Sequence, residues 1–337
     1  MSFRILGTGS AVPQKVVSNE ELSAMVDTSD DWIVSRTGIS NRRVTTDESM
    51  SELCIRSAVL ALENARVLPG DLDLILCATI GGDFITPSQA CLIQAGIGAH
   101  CPAFDINAAC SGFVYALDVA ESYMKAGKAR KVLVVAYDTL SKFVDWNDRN
   151  TCVLFGDGGG AVVLGEGDDL LGIHLTSEGN ADLINIPCQS ESPFDSEPPV
   201  KQHLRMNGTE VFKFAVSRIV TEIQALLDSC GLTKEDIDLV LLHQANIRII
   251  QYAQQKLGME ESKFLTNIRQ YGNTSAGSIP VLLDELHRQG VLRRGQLLVF
   301  MAFGGGLTTG GCILRWNPAS AVAAPPSDVG APPPATM

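Results

Sequence analysis

An α/β fold built from two similar halves is predicted by three observations on this 337-residue sequence. Short apolar runs rich in Val, Ile and Leu alternate with amphipathic helical stretches, the pattern of strands buried on both faces of helix-covered mixed sheets. Asp71-Leu72-Asp73-Leu74-Ile75-Leu76 returns 165 residues later as Asp236-Ile237-Asp238-Leu239-Val240-Leu241. Val132-Leu133-Val134-Val135 returns as Leu297-Leu298-Val299-Phe300 at the same offset, and Asn107, Leu117 and Asp118 return as Asn273, Leu283 and Asp284 at 166. Three segments in constant register imply duplication. The chain is accordingly divided into residues 1–165, 166–317 and a tail, 318–337, whose Ala- and Pro-rich composition lacks a periodic apolar face and reads as disorder.

In chain order, Gly7-x-Gly9 after an apolar run hints at a dinucleotide fingerprint. The third glycine is missing and Pro13 interrupts the required helix, so a nicotinamide cofactor is discounted. Residues 102–106 form an apolar extended run that passes through Asn107-Ala108-Ala109 into Cys110 and a helix-like stretch. Unpaired N–H groups and the macrodipole at a helix N-terminus favour a thiolate, so the position is expected to lower the thiol pKa. The glycine run 156–160 lacks the Lys-Ser/Thr ending of a phosphate loop and is expected to make a tight turn between strands. His243 follows the apolar run 239–242, and Asn273 lies in a turn-rich loop before another helix. Cys110, His243 and Asn273 together offer a nucleophile, a proton handler and an amide donor. Pseudo-twofold symmetry would bring the Cys110 and Asn273 loops together at the centre, where a substrate cleft is expected. Blander readings stand beside each: Cys110 as one more buried thiol, His243 as a hydrogen-bonded core histidine, and Asn273 as a helix cap, which its echo of Asn107 favours.

Bulk composition excludes several classes. Hydrophobic residues make up 45 % and charged residues 19 %, yet no uninterrupted apolar run is long enough for a membrane span. The start of the chain has too short an apolar stretch for a signal peptide, so a cytoplasmic location is expected. Nine scattered cysteines without paired spacing suit reduced thiols, and no histidine pair has metal-ligand spacing, so no metal is expected. A net charge of −12 argues against nucleic-acid binding. Any acidic partner must meet a local basic patch.

The residues resemble a known family, the thiolase-fold condensing enzymes, and within it the beta-ketoacyl-acyl-carrier-protein synthase III branch. The likeness spans roughly residues 1–317. Residues 31–39, Asp-Trp-Ile-Val-Ser-Arg-Thr-Gly-Ile, look like that family's CoA-binding segment, and 155–161 like its glycine turn; the segments around Cys110, His243 and Asn273 follow in the family's order. Ala302-Phe303 stand before the glycine run 304–306 where thiolases carry a second cysteine, and Asn273 replaces the second histidine of elongating synthases. Both points select the chain-initiating branch.

The resemblance implies a thiolase-like fold, duplicated βαβαβαββ halves in an α-β-α-β-α layering. It implies a decarboxylating Claisen condensation of an acyl-CoA primer, acetyl-CoA foremost, with malonyl-ACP through an acyl-Cys110 intermediate. The product is a 3-ketoacyl-ACP that initiates fatty acid synthesis. Cys110 and Gly305 N–H groups would form the oxyanion hole; Trp32 and Arg149 would sandwich the adenine; Arg36, Thr28 and Asn246 would help hold CoA. Lys213, Arg248 and Lys256 would dock the carrier protein. Thr86 would reach the acyl pocket of a partner subunit in a homodimer, its small size leaving room for longer primers, and Thr309 replaces a tryptophan frequent beside that pocket. CoA thioester is a substrate, so no cofactor is implied. The competing reading is a related condensing or acyl-transfer enzyme of secondary metabolism that uses a longer or unusual acyl group. A Cys110–His243 hydrolase and a non-catalytic CoA binder are the remaining classes.

Overall fold

A computed structural model describes residues 2–188, 194 and 201–318. The tail expected over 318–337 lies outside the described residues apart from Pro318. The first half contains strands β1 (Ser2–Ala11), β2 (Val16–Ser18) and β3 (Asn41–Arg43), with helices α1 (Asn19–Ser23) and α2 (Asp30–Thr37). Helix α3 (Met50–Ala65), β4 (Leu74–Ala78), α4 (Gln89–Ile97), β5 (Ala103–Ile106), α5 (Gly112–Lys125), β6 (Lys131–Thr139) and β7 (Asp157–Gly167) follow. The second half runs through β8 (Leu170–Ser177), β9 (Ile184–Asn185), β10 (Arg205–Met206), α6 (Gly208–Cys230), β11 (Leu239–Leu242) and α7 (Ile247–Leu257). It ends with α8 (Ile268–Tyr271), α9 (Ser278–Arg288), β12 (Leu297–Gly304) and β13 (Thr308–Arg315).

Two sheets share one topology. The first has the order β1-β7-β6-β4-β5, antiparallel through β6 and parallel from there. The second has β8-β13-β12-β11 in the same sense, and where β5 would have its counterpart only a parallel bridge from Val240 to Phe264 remains. The echoed sequences are therefore the echoed strands.

Alternation along those strands builds the layers. Leu74, Leu76 and Ala78 of β4 and Leu298, Phe300 and Ala302 of β12 face a shared central core that also holds Phe113 and Leu117 of α5 and Ile279 and Leu283 of α9. Ile75 and Cys77 turn to an outer core with α3 and α4, while Val299 and Met301 turn to another with α6 and α7. Period-two side-chain direction thus yields helix, sheet, helix pair, sheet, helix. Each fully buried Leu, Ile or Phe contributes about 1.5–3 kcal/mol to holding this stack. A fourth cluster with Leu22, Ile33, Ile39 and Phe155 lies outside the sheets and carries α2. Among the described residues no helix is long and apolar enough to cross a membrane.

The two glycine motifs have packing roles. A Cβ on Gly7 would sit 2.3 Å from the Ala65 backbone nitrogen and one on Gly9 2.4 Å from the Ser57 carbonyl oxygen, so these glycines let α3 lie directly on β1. The run 156–160 is not a turn: Asp157 to Gly160 open strand β7. Close approach is the reason for its composition. A Cβ on Gly159 would meet the Ala136 carbonyl oxygen at 2.2 Å, and one on Gly277 would meet that of Gly158 at 2.3 Å. Gly159 thus lets β7 lie close against Tyr137 of β6, and Gly277 seats the turn after Asn273 against β7.

Candidate active site

Helices α5 and α9 each start from a tight 3-10 turn, Ala109–Ser111 and Ser275–Gly277, and the two turns meet at the centre of the molecule. Ala109 and Ser275 hold equivalent places and both adopt the left-handed backbone, with φ of 45° and 52°. That conformation is costly for residues with a Cβ, and its persistence at both turns marks a constrained site. Cys110 follows Ala109 directly, in the turn rather than in the helix proper.

A cavity of about 630 Å³ opens onto this centre and is lined by Cys110, His243 and Asn273 together, with Phe303, Gly304 and Gly305 forming one wall. Its size falls in the ordinary range for a small-molecule site. Backbone contact with Cys110 is tight: a Cβ on Gly304 would lie 2.7 Å from the Cys110 nitrogen. Gly305 borders the same space, near Ala109 and Ile184.

Cys110 reaches the cavity yet lies deep in the fold, and burial pushes its thiol up to about 12. A hydrogen bond from Ser275 Oγ, 3.4 Å from Sγ, opposes the rise, and the charge of Asp138 adds to it. The expected lowering by the helix N-terminus is thus outweighed by desolvation, and the resting group is a thiol.

Burial holds His243 down to about 3, so the imidazole is neutral at physiological pH. Its Nδ1 lies 2.7 Å from Ser278 Oγ, which accepts the Gln244 N–H at 3.3 Å. With Oγ accepting from Gln244, the serine hydroxyl donates to Nδ1, and this network assigns the imidazole proton to Nε2. The Phe303 ring packs at 5.2 Å edge-on against the imidazole.

Asn273 is fixed in the same way. Its Oδ1 accepts the Ser275 N–H at 2.9 Å, while its backbone exchanges hydrogen bonds with Leu154 and Gly156. Capping through the oxygen leaves the NH₂ for the cavity, so cap and donor are compatible in one side chain. Sequence reasoning did not single out Ser275 and Ser278, although both lie beside Asn273, nor Asp138. Their meaning depends on which strand ends face them.

At the cavity mouth Trp32 and Arg36 of α2 line the opening, and the Arg36 and Arg149 guanidinium carbons lie 5.0 and 5.3 Å from the Trp32 ring centroid. Arg149 also donates to the Asp27 carbonyl oxygen at 2.8 Å. Asn246 lines the cavity, yet its amide is committed on both ends: Oδ1 caps α7 through Arg248 N–H at 2.9 Å, and Nδ2 donates to the Arg36 carbonyl oxygen at 3.1 Å. Thr28 is not among the lining residues, and its hydroxyl is buried without a hydrogen-bond partner. Lys213 stands beside lining residue Phe212 and pairs with Glu210 at 2.7 Å, and exposed Arg248 adjoins lining residue Ile249. Lys256 sits two helical turns farther along α7 and borders a separate groove with Lys234. Thr86 lies in an exposed loop with Phe84 and Ile85, 60 % and 101 % exposed, and does not line the cavity of its own chain. Thr309 is buried in β13, its hydroxyl against that of Thr176.

Comparison with known proteins gives consistent results. Residues 104–179 match the family model for 3-oxoacyl-[acyl-carrier-protein (ACP)] synthase III, and 227–316 match the model for its C-terminal part. The chain is 46 % identical over 322 residues to a beta-ketoacyl-[acyl-carrier-protein] synthase III of Clostridium acetobutylicum, covering 94 % of this chain and 99 % of the relative. The crystal structure of 3-oxoacyl-[acyl-carrier-protein] synthase III from Aquifex aeolicus superposes with a TM-score of 0.87 at 43 % identity, covering 93 % of this chain and all of that one. A priming beta-ketosynthase of the R1128 polyketide biosynthetic pathway superposes with a TM-score of 0.88 at 33 % identity, over 95 % and 97 % of the two chains.

Proposed function

The chain belongs to the 3-oxoacyl-[acyl-carrier-protein] synthase III family, and on that premise we propose how its own residues carry out the family's reaction. That reaction condenses an acyl-CoA primer with malonyl-ACP, loses CO₂, and yields the 3-ketoacyl-ACP that initiates fatty acid synthesis. The observation that carries the mechanism is the convergence of Cys110, His243 and Asn273 on one cavity whose mouth presents Trp32 and Arg36.

In the first half-reaction Cys110 sulfur attacks the primer thioester and CoA departs, leaving acyl-Cys110. Oxyanion donors are the backbone N–H groups of Cys110 and Gly305. In the second, malonyl-ACP occupies the emptied cavity, and charge develops on its thioester oxygen as the C–CO₂ bond breaks. His243 Nε2–H and the Asn273 NH₂ receive that charge. A neutral imidazole suits this task, because it donates without first needing to be charged. The carbanion then attacks the acyl-Cys110 carbonyl and releases the cysteine sulfur.

Acetyl-CoA is the proposed primer, and a longer chain is compatible with the small Thr86. Adenine stacking between Trp32 and Arg149 requires the arginine to swing outward, since 5.3 Å from ring to guanidinium leaves no room for a third layer. The carrier protein docks at Lys213 and Arg248, with Lys256 outside the immediate rim; local positive charge offsets the net charge of −12. Exposed Phe84 and Ile85 support a homodimer in which the 84–87 loop meets a second copy. The enzyme works in the cytoplasm and needs no cofactor.

Incubation with labelled acetyl-CoA and malonyl-ACP, beside Cys110→Ala, tests the reading. Labelled acetoacetyl-ACP is expected from the wild type and none from the variant. A wild type that makes no product from acetyl-CoA but does from longer acyl-CoAs moves the primer assignment, and product from Cys110→Ala sinks the mechanism.

A further inference from the structure

Acylation requires the Cys110 thiol to lose its proton, and the His243 and Asn273 side chains that share the cavity with it are not set to take it. Nε2 of His243 already carries a proton, Nδ1 is occupied by Ser278, and Asn273 presents an NH₂. Polar groups lie on the opposite side of the sulfur. Ser275 Oγ is 3.4 Å from Sγ, and the same hydroxyl faces the carboxyl group of Asp138 at the end of β6.

Asp138 is wholly buried, and its two oxygens are unequally supplied with donors. Oδ1 accepts the Ile80 N–H at 2.9 Å and the Thr79 hydroxyl at 3.0 Å, whereas Oδ2 has only the Ala276 N–H at 3.4 Å. The Ser275 hydroxyl is a further donor to this carboxylate. Among the described residues no basic side chain contributes to this environment; the titratable groups facing the carboxylate are the thiols of Cys77 on β4 and of Cys110. A buried carboxylate without a cation is an expensive feature to keep and a competent proton acceptor.

We infer that Asp138, acting through the Ser275 hydroxyl, takes the proton of Cys110 during acylation and returns it when the ketoacyl product leaves. The inference rests on the thioester mechanism proposed above. In acylation the Ser275 hydroxyl, which donates to Sγ at rest, turns its proton onto Asp138 and accepts the S–H proton in exchange. The sulfur lone pair forms the new S–C bond, the thioester C–S bond breaks, and CoA leaves as a thiolate that solvent protonates. In condensation the released Cys110 thiolate recovers the proton from Asp138 through Ser275. Atoms and charges balance over the cycle.

Single-turnover acetylation of Cys110 by acetyl-CoA, followed by protein mass between pH 5 and 9, tests this, with iodoacetamide alkylation at Cys110 as a second readout. Burial raises Asp138 to about 6, so wild-type acylation should fall as pH drops below that value and the carboxylate fills. Asp138→Asn and Ser275→Ala should each slow acylation by about 100-fold or more, the usual scale for a positioned base, and Asp138→Asn should lose the acidic limb. A purely electrostatic Asp138 predicts the opposite sign, because its charge raises the thiol pKa and its removal would speed both reactions. Asp138→Asn acylating at or above the wild-type rate overturns the relay. Should that variant fail to fold, Ser275→Ala decides, since Ala109 already occupies the same left-handed backbone in the other half; a wild-type rate in it overturns the relay. A wild type that takes no acetyl group but is alkylated at Cys110 overturns the acetyl reading instead. Alkylation of Ser275→Ala then judges the relay, slower supporting it and unchanged refuting it.

Discussion

The two turns that start α5 and α9 have the same backbone and opposite duties. In the first, Asn107 Oδ1 accepts the Ala109 N–H at 3.3 Å; in the second, Asn273 Oδ1 accepts the Ser275 N–H at 2.9 Å. Asn107 is exposed and Asn273 is buried on the cavity. Where the first half has Cys110, the second has Ala276; where the second has His243 against Ser278, the first has Ala78 against Gly112, a glycine whose Cβ would lie 3.1 Å from that of Ala78. At the ends of the echoed strands Asp138 faces Ser275 and Ala276, while Gly304 makes room for Cys110. The two halves share a strand order, and differences at a handful of matched positions decide which groups each half places on the cavity.

The largest test of that contrast is to truncate both asparagines. Asn273→Ala should reduce condensation by about 100- to 1000-fold, the usual cost of one oxyanion donor, while single-turnover acylation persists. Asn107→Ala removes only a cap and should cost about 1 kcal/mol of stability on thermal or denaturant unfolding, with condensation within a few-fold of wild type. Equal losses of condensation in the two would break the comparison.

Gly304→Ala comes next. Its Cβ would meet the Cys110 nitrogen at 2.7 Å, whereas the Cβ of Gly305→Ala would find Ile184 at a tolerable 3.4 Å. Displacing the nucleophile by about an ångström costs roughly 100-fold, so Gly304→Ala should acylate that much more slowly in a rapid-quench assay. Gly305→Ala should acylate faster than Gly304→Ala does.

A smaller effect is expected from Ser278→Gly, which copies Gly112. Losing the hydrogen bond that fixes the imidazole should slow condensation by about 3- to 10-fold, the equivalent of one ordinary hydrogen bond, with acylation preserved. His243 itself should add no limb to the condensation rate between pH 5 and 8, because burial holds it at about 3 and the neutral form prevails throughout. An imidazole NMR titration reporting a mid-range pKa would contradict this. The smallest change belongs to the rim: Trp32→Ala should raise KM for acetyl-CoA by a few-fold, the scale of one cation–π and stacking contact at a partly exposed site, and leave kcat nearly unchanged.

Much of the fold was legible in the sequence because strand burial writes itself as apolar runs, and duplicated strands repeat those runs in register. That Cys110, His243 and Asn273 share one cavity was foreshadowed by the place of each at a junction between an apolar run and a turn. The glycines at 156–160 were misread as a turn, since composition reports freedom of backbone and not what passes close by; here it is the α9 turn crossing β7. Asp138, Ser275 and Ser278 were not singled out, because a polar residue at a strand end or helix start has many local uses. Arg149 was placed by likeness beside Trp32, but its present hydrogen bond to Asp27 comes from a loop 122 residues away in sequence.

By itself the sequence determined the alternation of strands and helices, the strand pattern repeated in two sheets and the placing of Cys110, His243 and Asn273 beside turns. Local patterning suffices for these, because periodicity and turn chemistry act over a few residues. Only the tertiary structure decided the protonation of the site. Burial outweighs the helix N-terminus at Cys110, keeps His243 neutral and raises the Asp138 carboxyl to about 6. Desolvation depends on everything packed around a group, and that surrounding is assembled from both halves of the chain.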